Sequence, residues 1–192
     1  MLNSYYQENT NYTNCDHMIN MKKQIDTKLE NFKIRFADKS DVALILNFIK
    51  ELAEYEKMVD DVVATEEDII KSLFEERHAE VIIGEYENEP VAFALFFNNF
   101  STFVGKAGLY LEDLYVKPSM RGKGIGQILL SFLANICVER NYGRFEWSCL
   151  DWNEPSLEFY KKMGAVAMEE WVIHRVTGNN LIELAQKFSK LS

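Results

Sequence analysis

Three alternating glycines and two cations lie close together in residues 121–126, which read Arg-Gly-Lys-Gly-Ile-Gly. Glycines let the backbone approach an anion, and the N-terminus of a helix presents unpaired N–H groups at the positive end of its dipole. Arg121 and Lys123 add positive charge at the same place. A strand pattern precedes this segment and a helical pattern follows it, so we predict a phosphate-binding loop. A glycine-rich helix start that serves packing alone is the alternative.

Two common phosphate-binding patterns fit this loop poorly. A Walker loop requires glycine at the position of Lys117, so that class is excluded. A dinucleotide fingerprint requires glycine at the position of Gln127 and a loop that follows its strand directly, whereas residues 117–120 intervene. Glu146 does lie about twenty residues further on, where such folds place a ribose-binding acid, so this second class stays open.

One carboxylate interrupts an apolar strand pattern. Glu112 lies within residues 109–116, where a carboxylate is costly unless it is paired or faces a cleft. Strand alternation sends Glu112 and Asp113 to opposite faces, so we do not expect them to form a shared acid pair. Glu112 is therefore a candidate either for a structural ion pair or for a functional site.

Alternating apolar and polar residues predict the strands that position these groups. The strand patterns cover residues 32–36, 81–86, 91–97, 109–116, 144–150 and 170–176. Helical patterns begin after Ser40-Asp41, at a capping-box pattern of Thr65 and Asp68, at Ile125, at Asn153 and near Leu181. Helices separate the later strands and short turns join the early ones, which predicts one α/β domain.

Composition excludes several classes of protein. The 192 residues are 47% hydrophobic and 27% charged, which is typical of a globular domain. No apolar run reaches the 18 or so residues that a membrane-spanning helix needs. With 21 basic and 30 acidic residues the net charge is −9, so nucleic acid and membrane are not expected partners and a cationic small molecule is favoured.

Metal sites and export signals are also not indicated. The three cysteines and three histidines are scattered along the chain: Cys15, Cys137, Cys149, His17, His78 and His174. They form no disulfide framework and no zinc-type ligand spacing, so no metal is expected. Residues 1–30 lack the basic and apolar pattern of a secretory signal, so we expect a cytoplasmic location. Their polar composition predicts a mobile extension, and we expect a single domain over residues 31–192.

Residues 121–126 resemble the R-G-x-G-I/L-G/A pyrophosphate loop of the GNAT superfamily of acyl-CoA-dependent N-acetyltransferases. Residues 110–116 resemble the splayed strand of that family, which pairs with pantetheine. Residues 152–165 resemble its second CoA-facing segment, N-x-x-S/A-x-x-F/L-Y-x-x-x-G. The three motifs occur in order over about residues 32–176. They imply the GNAT fold, in which helices flank a mixed sheet that is antiparallel in its first part and splayed at a parallel pair.

Within the superfamily the chain is most similar to the diamine acetyltransferases of the spermidine/spermine and thialysine type. Residues 49–56, 109–116 and 152–156 carry this similarity. It implies direct transfer of an acetyl group from acetyl-CoA to a small primary amine in a ternary complex, and a homodimer. A peptide or protein N-acetyltransferase and a non-catalytic acyl-CoA-binding regulatory module are the alternatives.

The resemblance also implies roles for individual residues. Tyr160 corresponds to the tyrosine that donates a proton to the CoA sulfur. Glu112 corresponds to the acid that binds the acceptor amine, and a catalytic role in relaying its proton through water is implied for it as well. Acceptor contacts are also implied for Tyr55, Glu56 and Glu146, for which a solvated surface position is an equally good account. Cofactor contacts are implied for Leu114, Tyr115, Val116, Arg121, Gly122, Lys123, Gly124, Ile125, Gly126, Gln127, Asn153, Glu154, Pro155 and Ser156.

The chain departs from the polyamine enzymes before its central strand. Those enzymes carry an Asp-Pro-Trp segment, whereas residues 99–105 here read Asn-Phe-Ser-Thr-Phe-Val-Gly. The acid is absent and Phe103 stands in place of tryptophan. This disfavours long polyamines and leaves shorter diamines, thialysine-like amino acids and other amines open, while residues 169–171 offer acidic and aromatic contacts late in the chain.

Overall fold

A single mixed sheet of six strands organises the first part of the chain. The structure is a computed structural model that describes residues 24–191, so most of the extension predicted over residues 1–30 lies outside the described residues. The strands are β1 (Ile25–Asp26), β2 (Phe32–Phe36), β3 (Glu80–Tyr86), β4 (Glu89–Ser101), β5 (Lys106–Val116) and β6 (Phe145–Trp147), adjacent in chain order. The pairings from β1 to β5 are antiparallel. The pairing of β5 with β6 is parallel, which confirms the predicted fold class.

Five helices accompany the sheet in the described part of the chain. They are α1 (Val42–Glu56), α2 (Glu66–Ile69, continued by a π-helical turn over Ile70–Glu75), α3 (Ile125–Glu139), α4 (Glu154–Lys162) and α5 (Gly178–Leu191). The chain divides into a compact unit that ends at Ser148 and a second that begins at Cys149. The sheet and α1 to α3 belong to the first unit, and α4 and α5 belong to the second. None of the described helices is long and apolar enough to cross a membrane.

The apolar stripe of α1 builds the core that holds β5 in place. Ile45 and Phe48 are completely buried, and Phe48 stacks on Phe93 of β4 with ring centroids 5.2 Å apart. Tyr115 of β5 packs against the same Phe48 ring at 6.0 Å. Burying each large apolar side chain is worth roughly 1.5–3 kcal/mol. The core therefore fixes one face of β5 against α1.

α1 begins directly after Ser40-Asp41, as predicted, and Asp41 is its N-cap residue. Asp38 caps a short 3₁₀ turn over Lys39–Asp41, and the Asp41 side chain does not cap α1. Instead its carboxylate accepts two hydrogen bonds from Arg35, at 2.6 and 2.8 Å. The Asp41 carboxylate is thus bound by Arg35 of β2 and not by the first N–H groups of α1. The predicted capping box of Thr65 and Asp68 at α2 is confirmed.

The second unit contains two helices and no strand in its described part. The expected strand over residues 170–176 is wrong, because residues 171–177 form no regular structure. Trp171, Val172 and Ile173 are 70–73% exposed. An alternating pattern becomes a strand only when a neighbouring strand pairs with it. The closing helix is confirmed as α5.

Candidate active site

The glycine loop lies between β5 and α3, as predicted. A 3₁₀ turn over Pro118–Met120 follows β5, and α3 begins at Ile125. Gly122 and Gly124 have φ of +77° and +84°, a backbone conformation that favours glycine. Gly124 is the N-cap of α3 and supplies no capping side chain. The first N–H groups of this 15-residue helix therefore point to the loop without a side-chain cap, which suits an anion.

Aromatic rings and a carbonyl hold the loop cations in place. Arg121 Nε donates to the Val116 carbonyl at 3.0 Å. Its guanidinium lies 4.6 Å from the ring centroid of Tyr55 at the end of α1. The Lys123 ammonium lies 5.2 Å from the centroid of Tyr86. The structure thus places Tyr55, which the resemblance implied as an acceptor contact, directly against Arg121 of the glycine loop.

One edge of β5 is open where the resemblance implies pantetheine binding. β6 pairs with β5 only over Leu109–Leu111, while β5 continues to Val116. Along that edge the backbone of Leu114 to Val116 has no partner strand among the described elements, so an extended ligand can pair with it. The Tyr115 side chain turns into the core instead. Burial and a hydrogen bond with Glu51 raise the pKa of this phenol to about 12, so it stays protonated.

A β-bulge at Glu112 changes the predicted arrangement of the two acids. Leu95 opposes Asp113 and Phe96 opposes Leu111, so Glu112 has no cross-strand partner. The bulge interrupts the alternation from which we expected separate faces. Glu112 is exposed, whereas Asp113 opposes a residue of the α1-facing core. Such bulges re-aim side chains and are frequent next to active sites.

Glu56, Glu112 and Asp113 form an acidic patch. Burial, followed by the charges of Glu112 and Glu56, raises the pKa of Asp113 to about 7. Burial also raises the pKa of Glu56, the last residue of α1. No ion pair joins any of the three carboxylates to a cation within the described residues. The acidic patch therefore carries negative charge that a positively charged ligand can compensate.

Glu146, the fourth implied acceptor contact, lies in a different environment. Its Oε2 atom accepts a hydrogen bond from Asn99 Nδ2 at 2.7 Å. Arg144 Nε lies 2.8 Å from the same oxygen, although its N–H is not directed at it, so this contact is an ion pair without a hydrogen bond. The Glu146 carboxylate is therefore compensated inside the protein.

The second unit carries the remaining predicted residues on α4. Asn153 is 6% exposed and is the N-cap of α4, with its side chain accepting from Ser156 N at 3.4 Å. Pro155 lies in the first turn, as predicted. Tyr160 lies seven positions after the cap and is half-buried, with its ring 5.3 Å from that of Phe159. The structure thus presents Asn153 and Tyr160 on one short, well-capped helix.

The described residues contain no grouping of three or more His, Cys, Asp or Glu side chains that suits a metal ion. Cys137 and Cys149 are not in disulfide bonds. Burial raises the pKa of the Cys137 thiol to about 11. This thiol is therefore protonated and unreactive near neutral pH.

Comparison with known proteins identifies the family. The sequence model of the acetyltransferase (GNAT) family matches residues 45–165. The chain belongs to this family. Its members use acetyl-CoA, so the protein is an acetyl-CoA-dependent acyltransferase. The open edge of β5 and the uncapped loop with two positive-φ glycines are an arrangement that fits pantetheine and pyrophosphate.

Relatives confirm the predicted similarity to the diamine acetyltransferases. The chain is 36% identical to the thialysine N-epsilon-acetyltransferase of Sus scrofa over 166 residues, which cover 80% of this chain and 97% of that one. It is 29% identical to an L-ornithine N5-acetyltransferase of Arabidopsis thaliana, over 78% and 86% of the two chains. An integron cassette protein from the mobile metagenome of V. cholerae has a TM-score of 0.69 and 30% identity, over 81% and 98%.

Sequence reasoning missed the contributions of Asp113, Asn99 and Arg144. Alternation predicted that Asp113 lies on the face opposite Glu112, because a β-bulge cannot be recognised from the sequence pattern. Asn99 and Glu146 are 47 positions apart, so no local pattern connects them. The one available signal was the two-residue spacing of Arg144 and Glu146, which places both side chains on one face of a strand.

The positive φ of Gly124 leads to a first prediction. Gly124→Ala is expected to raise KM for acetyl-CoA about tenfold and to leave kcat nearly unchanged, because a Cβ disfavours φ of +84° and shifts the N–H donors of α3. Gly105→Ala is the matched control, since Gly105 also has positive φ (+68°) and open space around it. Steady-state kinetics that give both variants the same KM would contradict a phosphate-binding role for this loop.

Proposed function

We propose that the protein transfers the acetyl group of acetyl-CoA to a primary amine of a small diamine, polyamine or thialysine-like amino acid, by direct attack in a ternary complex. The observation that carries this proposal is the acidic patch, whose Glu112 and Asp113 immediately precede the open backbone edge of Leu114 to Val116. The patch suits an ammonium group, and the edge suits pantetheine. The activities named for the thialysine and ornithine relatives support the same acceptor class.

The acceptor must lose a proton before it reacts. An alkyl amine has a pKa near 10.4, so it arrives as an ammonium ion that carboxylates attract. In our proposal Glu112, exposed at the bulge, accepts one ammonium proton directly or through water. Glu56 attracts the ion by its charge, and the bound ammonium in turn favours the ionised form of Asp113. Binding beside the thioester supplies a further part of the rate through proximity.

Attack then forms a bond between the amine nitrogen and the thioester carbonyl carbon. The carbon–sulfur bond breaks, and the thiolate leaves while the nitrogen loses its second proton. In our proposal Tyr160 gives the hydroxyl proton to the departing sulfur and recovers it from the proton released by the amine. The products are an N-acetyl amide and CoA, and no covalent enzyme intermediate is involved.

The cofactor roles implied by the resemblance form part of this proposal. The main chain of Leu114, Tyr115 and Val116 pairs with the pantetheine arm, and residues 121–127 hold the pyrophosphate. Asn153, Glu154, Pro155 and Ser156 contact the CoA from the start of α4. The homodimer and the cytoplasmic location stay predictions.

Thiol release from acetyl-CoA tests the proposal. Putrescine, spermidine, spermine, lysine, thialysine and a basic peptide are offered separately to the full chain, and free thiol is measured. We expect turnover with at least one small amine and less than a tenth of that rate with the peptide. Turnover with the peptide alone would favour a peptide N-acetyltransferase. Acetyl-CoA binding without any turnover would favour the regulatory module.

A further inference from the structure

Three side chains meet at the parallel end of the sheet, and we call them the Glu146 cluster: Asn99 of β4, Glu146 of β6 and Arg144, which lies just before β6. Glu146 Oε2 accepts from Asn99 Nδ2 at 2.7 Å and lies 2.8 Å from Arg144 Nε. Arg144 Nη2 donates to the Phe100 carbonyl at 3.1 Å, which ties the guanidinium to β4. The cluster therefore bridges β4 and β6 across β5.

Gly108 makes this bridge possible. A Cβ at Gly108 of β5 would clash with Asn99 Oδ1 and would lie only 2.7 Å from Arg144 Cγ. The side chains of Asn99 and Arg144 thus lie directly over a strand position that has no side chain of its own. Asn99 Oδ1, packed there, is buried and makes no hydrogen bond within the described residues.

The cluster is neutral while the nearby acidic patch is not. Arg144 and Glu146 contribute one positive and one negative charge, and Asn99 contributes none. Glu146 pairs with Tyr110, two residues before Glu112, so the cluster lies roughly 7 Å along the sheet from the start of the acidic patch. This stretch of the sheet therefore has carboxylates without a cation partner at one end and a neutral, partly exposed ion pair at the other.

We infer that Arg144, with Asn99, masks the charge of Glu146 and so makes the acceptor site discriminate against amines that carry several positive charges. This inference rests on the proposed function, because it concerns the specificity of the same site. A polyamine places a second ammonium about one propyl or butyl chain away from the reacting one. At the Glu146 cluster that ammonium finds no unpaired carboxylate, because Arg144 already compensates Glu146, so the hydration that the ammonium loses on binding is not offset. A diamino acid, whose far end is zwitterionic, avoids this penalty.

Arg144→Gln tests the inference. Removing the guanidinium charge leaves Glu146 uncompensated, so kcat/KM for spermidine relative to thialysine is expected to rise about tenfold, through KM more than through kcat. The rise is expected to shrink as salt is added, because Arg144 and Glu146 are 36% and 38% exposed. Arg144→Lys keeps the charge and is expected to keep the wild-type ratio. The double variant Arg144→Gln with Glu146→Gln is expected to bring the ratio of spermidine to thialysine kcat/KM back toward the wild-type value.

Asn99→Asp gives a second measurement that does not disturb the Phe100 contact. It replaces the amide that donates to Glu146 Oε2 with a carboxylate of the same shape, so that hydrogen bond is lost and the same ratio is expected to shift toward spermidine. An unchanged ratio in both folded variants would overturn the inference. Spermidine and thialysine binding to each CoA-loaded variant, measured by calorimetry, reports the same preference without turnover. Wild-type inactivity on every amine would therefore refute the proposed function, whereas an unchanged binding preference in the variants would refute the masking role.

Discussion

Tyr160→Phe is expected to lower kcat roughly 10²–10³-fold while KM for acetyl-CoA changes by less than about threefold. The substitution removes the hydroxyl proton that we assign to the departing sulfur and leaves the aromatic ring. That ring lies 5.3 Å from Phe159 on α4, so its packing is retained. Steady-state kinetics with saturating acceptor separate the two effects, because a lost transition-state contact lowers kcat and kcat/KM together.

Tyr142→Phe is the matched control for this experiment. Its hydroxyl donates to Asn98 Oδ1 at 2.9 Å, and it belongs to none of the three motifs. We expect this variant to keep kcat within about twofold of wild type, since removing one exposed hydrogen bond costs about 1 kcal/mol of stability or less. A Tyr160→Phe variant with unchanged kcat would remove Tyr160 from the proposed mechanism.

Asp113→Asn is expected to stabilise the fold above pH 7 and to change its stability little near pH 4. The pKa of Asp113 is 3.8 in the unfolded reference and about 7 in the folded protein. Between these values the unfolded chain releases the proton that the folded chain retains. The free energy of unfolding therefore falls as pH rises from about 4 to 7. Above pH 7 the full cost is on the order of 4 kcal/mol, and asparagine avoids it.

Urea unfolding of the two proteins at several pH values between 4 and 9 measures this difference. Asp60→Asn, at an exposed position of a 3₁₀ turn, controls for the loss of one acidic residue and is expected to show no such pH dependence. Glu112→Gln removes one of the charges that raise the pKa of Asp113, so it should move the transition to lower pH. Parallel stability curves for wild type and Asp113→Asn across this range would contradict a buried, titrating Asp113.

The parts of this protein that depend on short stretches of chain follow from the sequence alone. β2 has the predicted bounds, and the glycine loop opens α3 at Ile125. Asn153 caps α4, and Thr65 with Asp68 forms the capping box of α2. Glycine torsions, caps and turn spacing involve atoms a few residues apart, so residue type and order determine them.

The electrostatic character of the site depends on tertiary structure. The bulge at Glu112 exists because Leu95 and Phe96 of β4 pair on either side of it. Asp113 titrates near 7 because folding buries it and brings Glu56 close, although the two are far apart in the chain.

The same is true of the charge at Glu146 and of the late strand pattern. Arg144 and Asn99 compensate Glu146 only once β4 and β6 lie on either side of β5. Residues 170–176 carry an alternating pattern but form no strand, since no described strand pairs with them. Sequence thus determined the family, the cofactor loop and the local caps, whereas burial, strand pairing and charge proximity were decided by folding because each needs groups from distant parts of the chain.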